Sequence, residues 1–173
     1  AIIFKESWQS VTLINLLVEH LTAKGLLQHL ENASCVLTNK GDFDRFRIQN
    51  HIPSSLTELT EEYNPLEANL NHFISWTKGC YIGQEVIARL DTYKKVQRQL
   101  VGLQLQEMPW PVPKAIFNEA EEVVVLTSAV AIEKSSFAGL GYIKRNYLES
   151  NGSFFIKNDG KQISVTLQKE QLQ

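Results

Sequence analysis

Leu100-Val-Gly-Leu-Gln-Leu-Gln106 is the stretch on which the fold reading turns. Val101, Leu103 and Leu105 fall on one side of an extended chain, the two-residue period of a strand with one buried face. The same texture recurs downstream in Val123–Leu126, Leu140–Ile143, Ser153–Lys157 and Gln162–Leu167. Between the last two, Asn158-Asp-Gly-Lys161 reads as a hairpin turn, because glycine takes positive φ at little cost. Pro109, Pro111 and Pro113 break the chain after the first strand. Several short strands with turn punctuation predict a small antiparallel barrel or sandwich.

Upstream the texture changes. Ala1–Phe4 reads as a short strand, and Ser7 as the cap of an amphipathic helix carried by Trp8, Val11, Ile14, Leu17, Val18 and Leu21. Gly25 is the expected C-cap of that helix. Asp42 is placed as the cap of a second short helix through Ile48, stopped before Pro53 by the steric restriction on pre-proline residues. Ser54–Tyr63 reads as loop, Asn64–Pro65 as a turn, and His72–Trp76 as a strand. Val86, Ile87, Leu90 and Tyr93 have helical spacing. The expected organisation is α+β: a mixed α/β domain over residues 1–95, a boundary at Lys94–Val96, and a C-terminal antiparallel β-barrel over 96–173.

Composition excludes several classes. With 43% hydrophobic and 21% charged residues the 173-residue chain has the make-up of a folded globular protein. A spanning helix needs about 20 consecutive apolar residues, and no such run occurs. The net charge of −2 argues against holding nucleic acid by bulk charge. Two cysteines, Cys35 and Cys80, cannot form a disulfide framework, so a reducing compartment is expected. The chain starts at Ala1 and has one methionine, Met108, which reads as part of a larger product. His20, His29, His51 and His72 lack metal-site spacing, so no metal centre is expected.

The chemistry-bearing stretch is Lys78-Gly-Cys-Tyr-Ile-Gly-Gln-Glu85, placed at a strand-to-helix junction. Cys80 lies two residues from Lys78 and just before a helix start, a setting that favours the nucleophilic thiolate. Gly79 and Gly83 permit unusual φ or the close approach of another group. Gln84 and Glu85, in the first helical turn, could present donor and acceptor atoms to a ligand. Lys94, Lys95, Arg98 and Arg89 form a small basic cluster that reads as a solvated face, with an anionic tail or an RNA backbone as the other reading. Trp110 reads as a loop anchor.

This stretch, followed by Val86-Ile-Ala-Arg89, resembles the K-G-C-[FY]-x-G-Q-E signature of the YgfZ family, folate-binding relatives of the aminomethyltransferase (T-protein) of glycine cleavage. Arg47-Ile-Gln-Asn-His-Ile-Pro53 resembles the family's R-I-E-x-G-x-P, with Gln49 in place of Glu and His51 in place of Gly. Asn64-Pro-Leu-Glu-Ala68 resembles its N-P-L-E-A, while Val125–Ser128 and Gly139–Tyr142 resemble segments of its barrel. The resemblance implies a T-protein-like domain followed by the barrel and a tetrahydrofolate-type ligand. Arg47, Gln49, Tyr81, Gly83, Gln84 and Glu85 would contact that ligand, and Cys80 and Lys78 would carry the chemistry. It also implies a role in maintaining iron–sulfur enzymes or serving their assembly proteins, with tRNA involved only through enzymes that modify it. The compartment would be the cytoplasm, or the mitochondrial matrix in a eukaryote. Two other readings stay open: an aminomethyltransferase of the glycine cleavage type, and a non-catalytic interaction domain whose folate site has decayed.

Overall fold

The computed structural model describes residues 1–8, 11–93, 96–109, 111–150, 153–158 and 160–168. In chain order the elements are β1 (Ile2–Trp8), β2 (Val11–Leu17), α1 (His20–Asn32), α2 (Lys40–Gln49), α3 (Gln84–Thr92), β3 (Arg98–Leu105), β4 (Lys114–Asn118), β5 (Glu121–Glu133), β6 (Ser136–Lys144), β7 (Phe154–Asn158) and β8 (Lys161–Leu167). The architecture is α+β, as the sequence predicts. Strands β3 to β8 close into an antiparallel barrel in the order β3-β6-β5-β4-β7-β8. Leu103, Leu105, Leu126, Ile143, Ile156 and Val165 fill its interior at 2% exposure or less. The expected strands are present and β5 is much longer than its apolar run, while β4 lies in a segment with no strand signal beyond its proline flank. Asn158 pairs with Lys161 and Gly160 has φ 79°, the geometry expected of that hairpin; its Asp159 lies outside the described residues. So do Trp110, the two lysines of the basic cluster and most of the expected domain boundary, Lys94 and Lys95.

The N-terminal stretch differs from expectation. Val11–Leu17 is a strand, paired antiparallel with β1 from Trp8↔Val11 to Ile2↔Leu17. Its apolar residues fit both a helical and an alternating period. Val11, Thr12 and Ile14 are β-branched and favour the extended form, and Val11, Leu13 and Asn15 turn to the half-buried side. The partner strand decides the matter, supplied by Ile2–Trp8 and closed by the buried Trp8, whose ring meets His72 edge-on at 4.9 Å. The helix follows at α1 and runs straight through Gly25; its chain reverses at Ser34, at φ 68°. His72–Trp76 is not a strand but a 3-10 turn over Asn71–Phe73 with irregular chain after it. Helix α2 begins earlier than Asp42: Asn39 is its N-cap and accepts from Asp42 N at 3.0 Å, while Asp42 Oδ2 accepts from Asn39 Nδ2 at 2.6 Å. Asp42, the third helical residue, thus holds the capping side chain in place.

Helix α2 is fastened to the barrel by one buried carboxylate. Glu58 has no exposed surface. Its Oε2 accepts from Arg47 Nη1 (3.0 Å), Ser54 N (3.0 Å) and Thr57 Oγ1 (2.7 Å), and its Oε1 from Thr127 Oγ1 and Ser128 Oγ, both at 2.6 Å. Adjacent strand residues ordinarily point to opposite faces. Here β5 slips register between Leu126↔Gly141 and Ser128↔Leu140, and this bulge at Thr127 lets two consecutive hydroxyls meet the same oxygen. Arg47 also donates to Asp44 Oδ1 (2.8 Å) and Ser128 Oγ (3.0 Å), and Tyr142 OH donates to Glu58 O (2.8 Å) while stacking on Tyr63. Burial would push the Glu58 carboxyl up, but the bonds from Ser128, Thr127, Thr57 and Ser54 outweigh it and hold the group below its usual 4.5.

Two chain reversals seat the segments on either side of this latch. After α2, His51 N bonds to Ile48 O and Ile52 N to Arg47 O, with His51 at φ 53°. After Asn64–Ala68, Asn69 N bonds to Leu66 O and Leu70 N to Pro65 O, with Asn69 at φ 60°. Both are Schellman closures with a side-chain residue where glycine is usual. The His51 imidazole fills the space over Gly102, where a Cβ would run into the ring and stand 2.7 Å from Gln168 Oε1. His51 Nε2 lies 2.9 Å from Gln168 Oε1.

These arrangements set two expected outcomes. Because Glu58 titrates below its unfolded value, its stabilising contribution is complete above about pH 4.5 and is lost as pH falls through the folded value. Unfolding free energy should therefore hold steady down to that point and decline below it. Glu58→Gln should flatten the decline and cost about 2–4 kcal/mol at neutral pH, because it removes the buried one of Arg47's two carboxylate partners and leaves only Asp44; denaturant melts across pH 3 to 7 read both. Gly102→Ala should cost about 1–3 kcal/mol by overpacking, and His51→Gly, which removes ring and left-handed strain together, should recover part of that loss in the double variant.

Candidate functional site

The Lys78–Glu85 segment leads into α3 through Gly83, whose φ of 88° makes it a left-handed N-cap. That conformation is why a glycine stands there. Gly79 has no positive φ and open space about its Cα, so only one of the two glycines answers a backbone demand. The helix starts four residues after Cys80, so the thiol lies outside its first turn, where the dipole field is felt. Cys80 is exposed. The Lys78 ammonium lies 4.6 Å from the centre of the Tyr81 ring, held by the aromatic face. Lys78 N donates to Ser75 Oγ at 3.2 Å and Gln84 N to Tyr81 O at 3.2 Å, which folds the segment back on itself.

Beneath it lies a hollow of about 240 Å³ lined by Pro65, Leu70, Phe73, Ile74, Ser75, Lys78, Tyr81 and Ile87. It is a mostly apolar slot with one cation at its wall. Half-exposed Trp76 and fully exposed Ile82 lie on the same stretch of chain. The arrangement suits a flat apolar body carrying an anionic group.

The structure thus unites some of the expected site residues and separates others. Lys78 and Tyr81 share the hollow. Gln84 is half-buried at the start of α3, and Glu85 is directed to solvent and to Arg89, 2.8 Å away. Arg47 and Gln49 do not line the hollow. Arg47 is buried, with Nε, Nη1 and Nη2 each donating to a protein oxygen, while Gln49 is exposed on α2. The residues unforeseen as lining are Pro65, Leu70, Phe73, Ile74, Ser75 and Ile87. The Asn64–Ala68 turn was the available signal: Asn64 Oδ1 accepts from Leu66 N and Glu67 N, both at 3.0 Å, and this turn presents Pro65 to the slot. Among the described residues no group of three His, Cys, Asp or Glu is placed to hold a metal ion, and no helix is long and apolar enough to cross a membrane. Gly83→Ala should cost about 1 kcal/mol from the left-handed strain and Gly79→Ala nearly nothing, as urea denaturation of the two variants will show.

No protein-family model matches the chain. In sequence it is similar to a chloroplastic protein of Arabidopsis thaliana named as a transferase, at 41% identity over 60% of this chain and 24% of that protein. It is also similar to the mitochondrial iron–sulfur cluster assembly factor IBA57 of Mus musculus, at 31% over 70% of this chain and 35% of the relative. The third is an aminomethyltransferase of Aquifex aeolicus, at 38% over 41% of this chain and 19% of the relative. The glycine cleavage system aminomethyltransferase T from Bartonella henselae superposes with a TM-score of 0.68 at 20% identity, over 85% of this chain and 42% of that one. The chain therefore spans about a third or less of these curated relatives and under half of the solved structure. It shares sequence with iron–sulfur cluster assembly factors and aminomethyltransferases, and its fold matches that of part of an aminomethyltransferase.

Proposed function

We propose that this chain is part of a folate-binding protein of the YgfZ kind that supports the maintenance of iron–sulfur enzymes, tRNA-modifying ones among them. The observation that carries the reading is the Lys78–Glu85 segment folded over an apolar slot with Lys78 at its wall. The similarity to an iron–sulfur cluster assembly factor supports it. The slot fits one part of a tetrahydrofolate. Its 240 Å³ is below the usual size of a whole drug-sized site, so it takes a ring, with the Lys78 ammonium meeting a glutamate carboxylate. Gln49, exposed on α2, offers a neutral amide to a pterin edge. Arg47 belongs to the latch and contributes by holding α2 in place rather than by direct contact. Tyr81 lines the slot, Gly83 sets the turn, and Gln84 and Glu85, just beyond it at the start of α3, would meet the part of the ligand that extends past the slot. Cys80, exposed on the same loop, is the thiol that would meet a partner protein or a folate-borne carbon. The division at residues 95–96 into folate domain and barrel belongs to this reading, as does a cytoplasmic or mitochondrial-matrix location.

The similarity to aminomethyltransferases favours a second reading, aminomethyl transfer to tetrahydrofolate in glycine cleavage. A glycine cleavage assay separates the two. For the first reading, titration calorimetry should show tetrahydrofolate binding that weakens with salt, more so for polyglutamates. Lys78→Ala should weaken it roughly tenfold, and Gln49→Glu should strengthen it by about 1–2 kcal/mol through a charge-assisted bond. Cys80→Ser should leave binding intact while failing to restore iron–sulfur enzyme activity in cells lacking the protein. Absence of folate binding in every form would overturn the reading.

A further inference from the structure

The barrel is unevenly closed. Strand β3 pairs with β6 over its whole length, from Arg98↔Lys144 to Leu105↔Phe137, but with β8 only from Leu103↔Leu167 to Leu105↔Val165. The open edge of the first half of β3 is covered by the turn after Asn64. Leu100 N donates to Glu67 O (2.8 Å), Asn69 Nδ2 to Leu100 O (2.8 Å) and Arg98 N to Glu67 Oε1 (3.2 Å). Between that turn, the end of β8 and the chain after β6 lies a cavity of about 300 Å³, which shares no residue with the Lys78 slot.

Its walls and its polar groups differ in kind. Leu100, Val101, Leu148 and Leu167 supply apolar faces. The polar lining is dominated by carboxamides, those of Asn69, Gln99 and Gln168. A carboxamide donates and accepts at once. Gln99 Nε2 donates to Asn69 Oδ1 (3.1 Å), which fixes both, and Gln168 Oε1 is held beside His51 Nε2 at 2.9 Å. Gln99 Oε1 and Gln168 Nε2 make no hydrogen bond among the described residues, leaving one acceptor and one donor for an occupant. Among the described residues no lysine or arginine lines the cavity, and the one charged residue that does is the exposed Glu149, so none of them favours an anionic ligand. His51 and Asn69, which line it, are both non-glycine residues at positive φ, and strain of that kind gathers at ligand sites. The size is at the lower end for a small-molecule site.

We propose that the split between β3 and β8 binds a small, uncharged, planar ring carrying an amide edge, whose C=O and N–H pair with Gln168 and Gln99 while the leucines and Val101 cover its faces. The test uses nicotinamide, 2-pyridone and uracil as probes, with benzoate and fluorobenzene as controls, titrated into the isotope-labelled protein and read by NMR. At least one probe should bind in the millimolar range and shift Val101, Gln99 and Gln168. Gln99→Leu and Gln168→Leu should each weaken it at least fivefold, and Lys78→Ala should leave it unchanged. Leu148→Phe, on the flank of the cavity rather than inside the barrel, should block it. Failure of all three probes at 10 mM overturns the proposal, as does fluorobenzene or benzoate binding as well as they do, or shifts confined to the Lys78 slot. Because folate binding is measured separately and depends on Lys78, either reading can fail without the other.

Discussion

A single buried carboxylate decides how the two halves of this chain meet. Taking a carboxylate from water is costly, and Glu58 is tolerable only because five donors converge on it from three separate segments. The requirement works in reverse as well. The hydroxyls of Thr127 and Ser128 reach the carboxylate only if β5 is bulged, Arg47 reaches it only if α2 lies against β5 and β6, and Tyr142 reaches its backbone only if β6 is the neighbouring strand. A helix that packed elsewhere would leave a buried charge unmatched. The network therefore selects one docking of α2 on the barrel far more sharply than apolar contact alone, which tolerates sliding.

That docking sets the position of everything beyond it. The chain leaving α2 must reverse at His51 and again at Asn69, and the two reversals place the segment 64–70 along the bare edge of β3. One side of that segment presents Pro65 and Leu70 to the Lys78 slot, and the other presents Asn69 to the cavity at the β3–β8 split. Two hollows of different chemistry, one with a cation and one lined with amides, thus share a single structural divider. The latch side chains line neither, yet they align both.

The barrel was readable in the sequence because its strands alternate and its turns carry glycine and asparagine. Helices α2 and α3 were readable from spacing and caps. Strand β2 was not, since Val11, Ile14, Leu17, Val18 and Leu21 satisfy a helical period and only the pairing with β1 rejects it. Strand β4 has five residues and a proline border, too little pattern to register. At the candidate site, the Lys78–Glu85 segment and its helix start were legible, Gly83 included. Glu58 was not, because it sits in a polar run, Leu56-Thr-Glu-Leu-Thr-Glu-Glu62, where nothing local separates it from its exposed neighbours. Arg47 was visible as part of a motif, but its burial and partners arise from segments 11 and 81 positions away, which no local pattern encodes.

The β1–β2 hairpin leaves Ile2, Ile3, Phe4, Ile14, Leu16 and Leu17 open to solvent, most of them more than half exposed. Among the described residues the two strands pair only with each other and pack little beyond Trp8, the combination that recruits further strands from other molecules. The net charge is only −2 and the isoelectric point is near 6.1, so electrostatic repulsion between molecules is feeble at neutral pH and vanishes slightly below it. In colloidal terms the hairpin, not the barrel, should set the solubility of the 173-residue chain on its own: self-association should rise with concentration, be worst near pH 6, and be relieved by charged substitutions along β1 rather than by anything that strengthens the core.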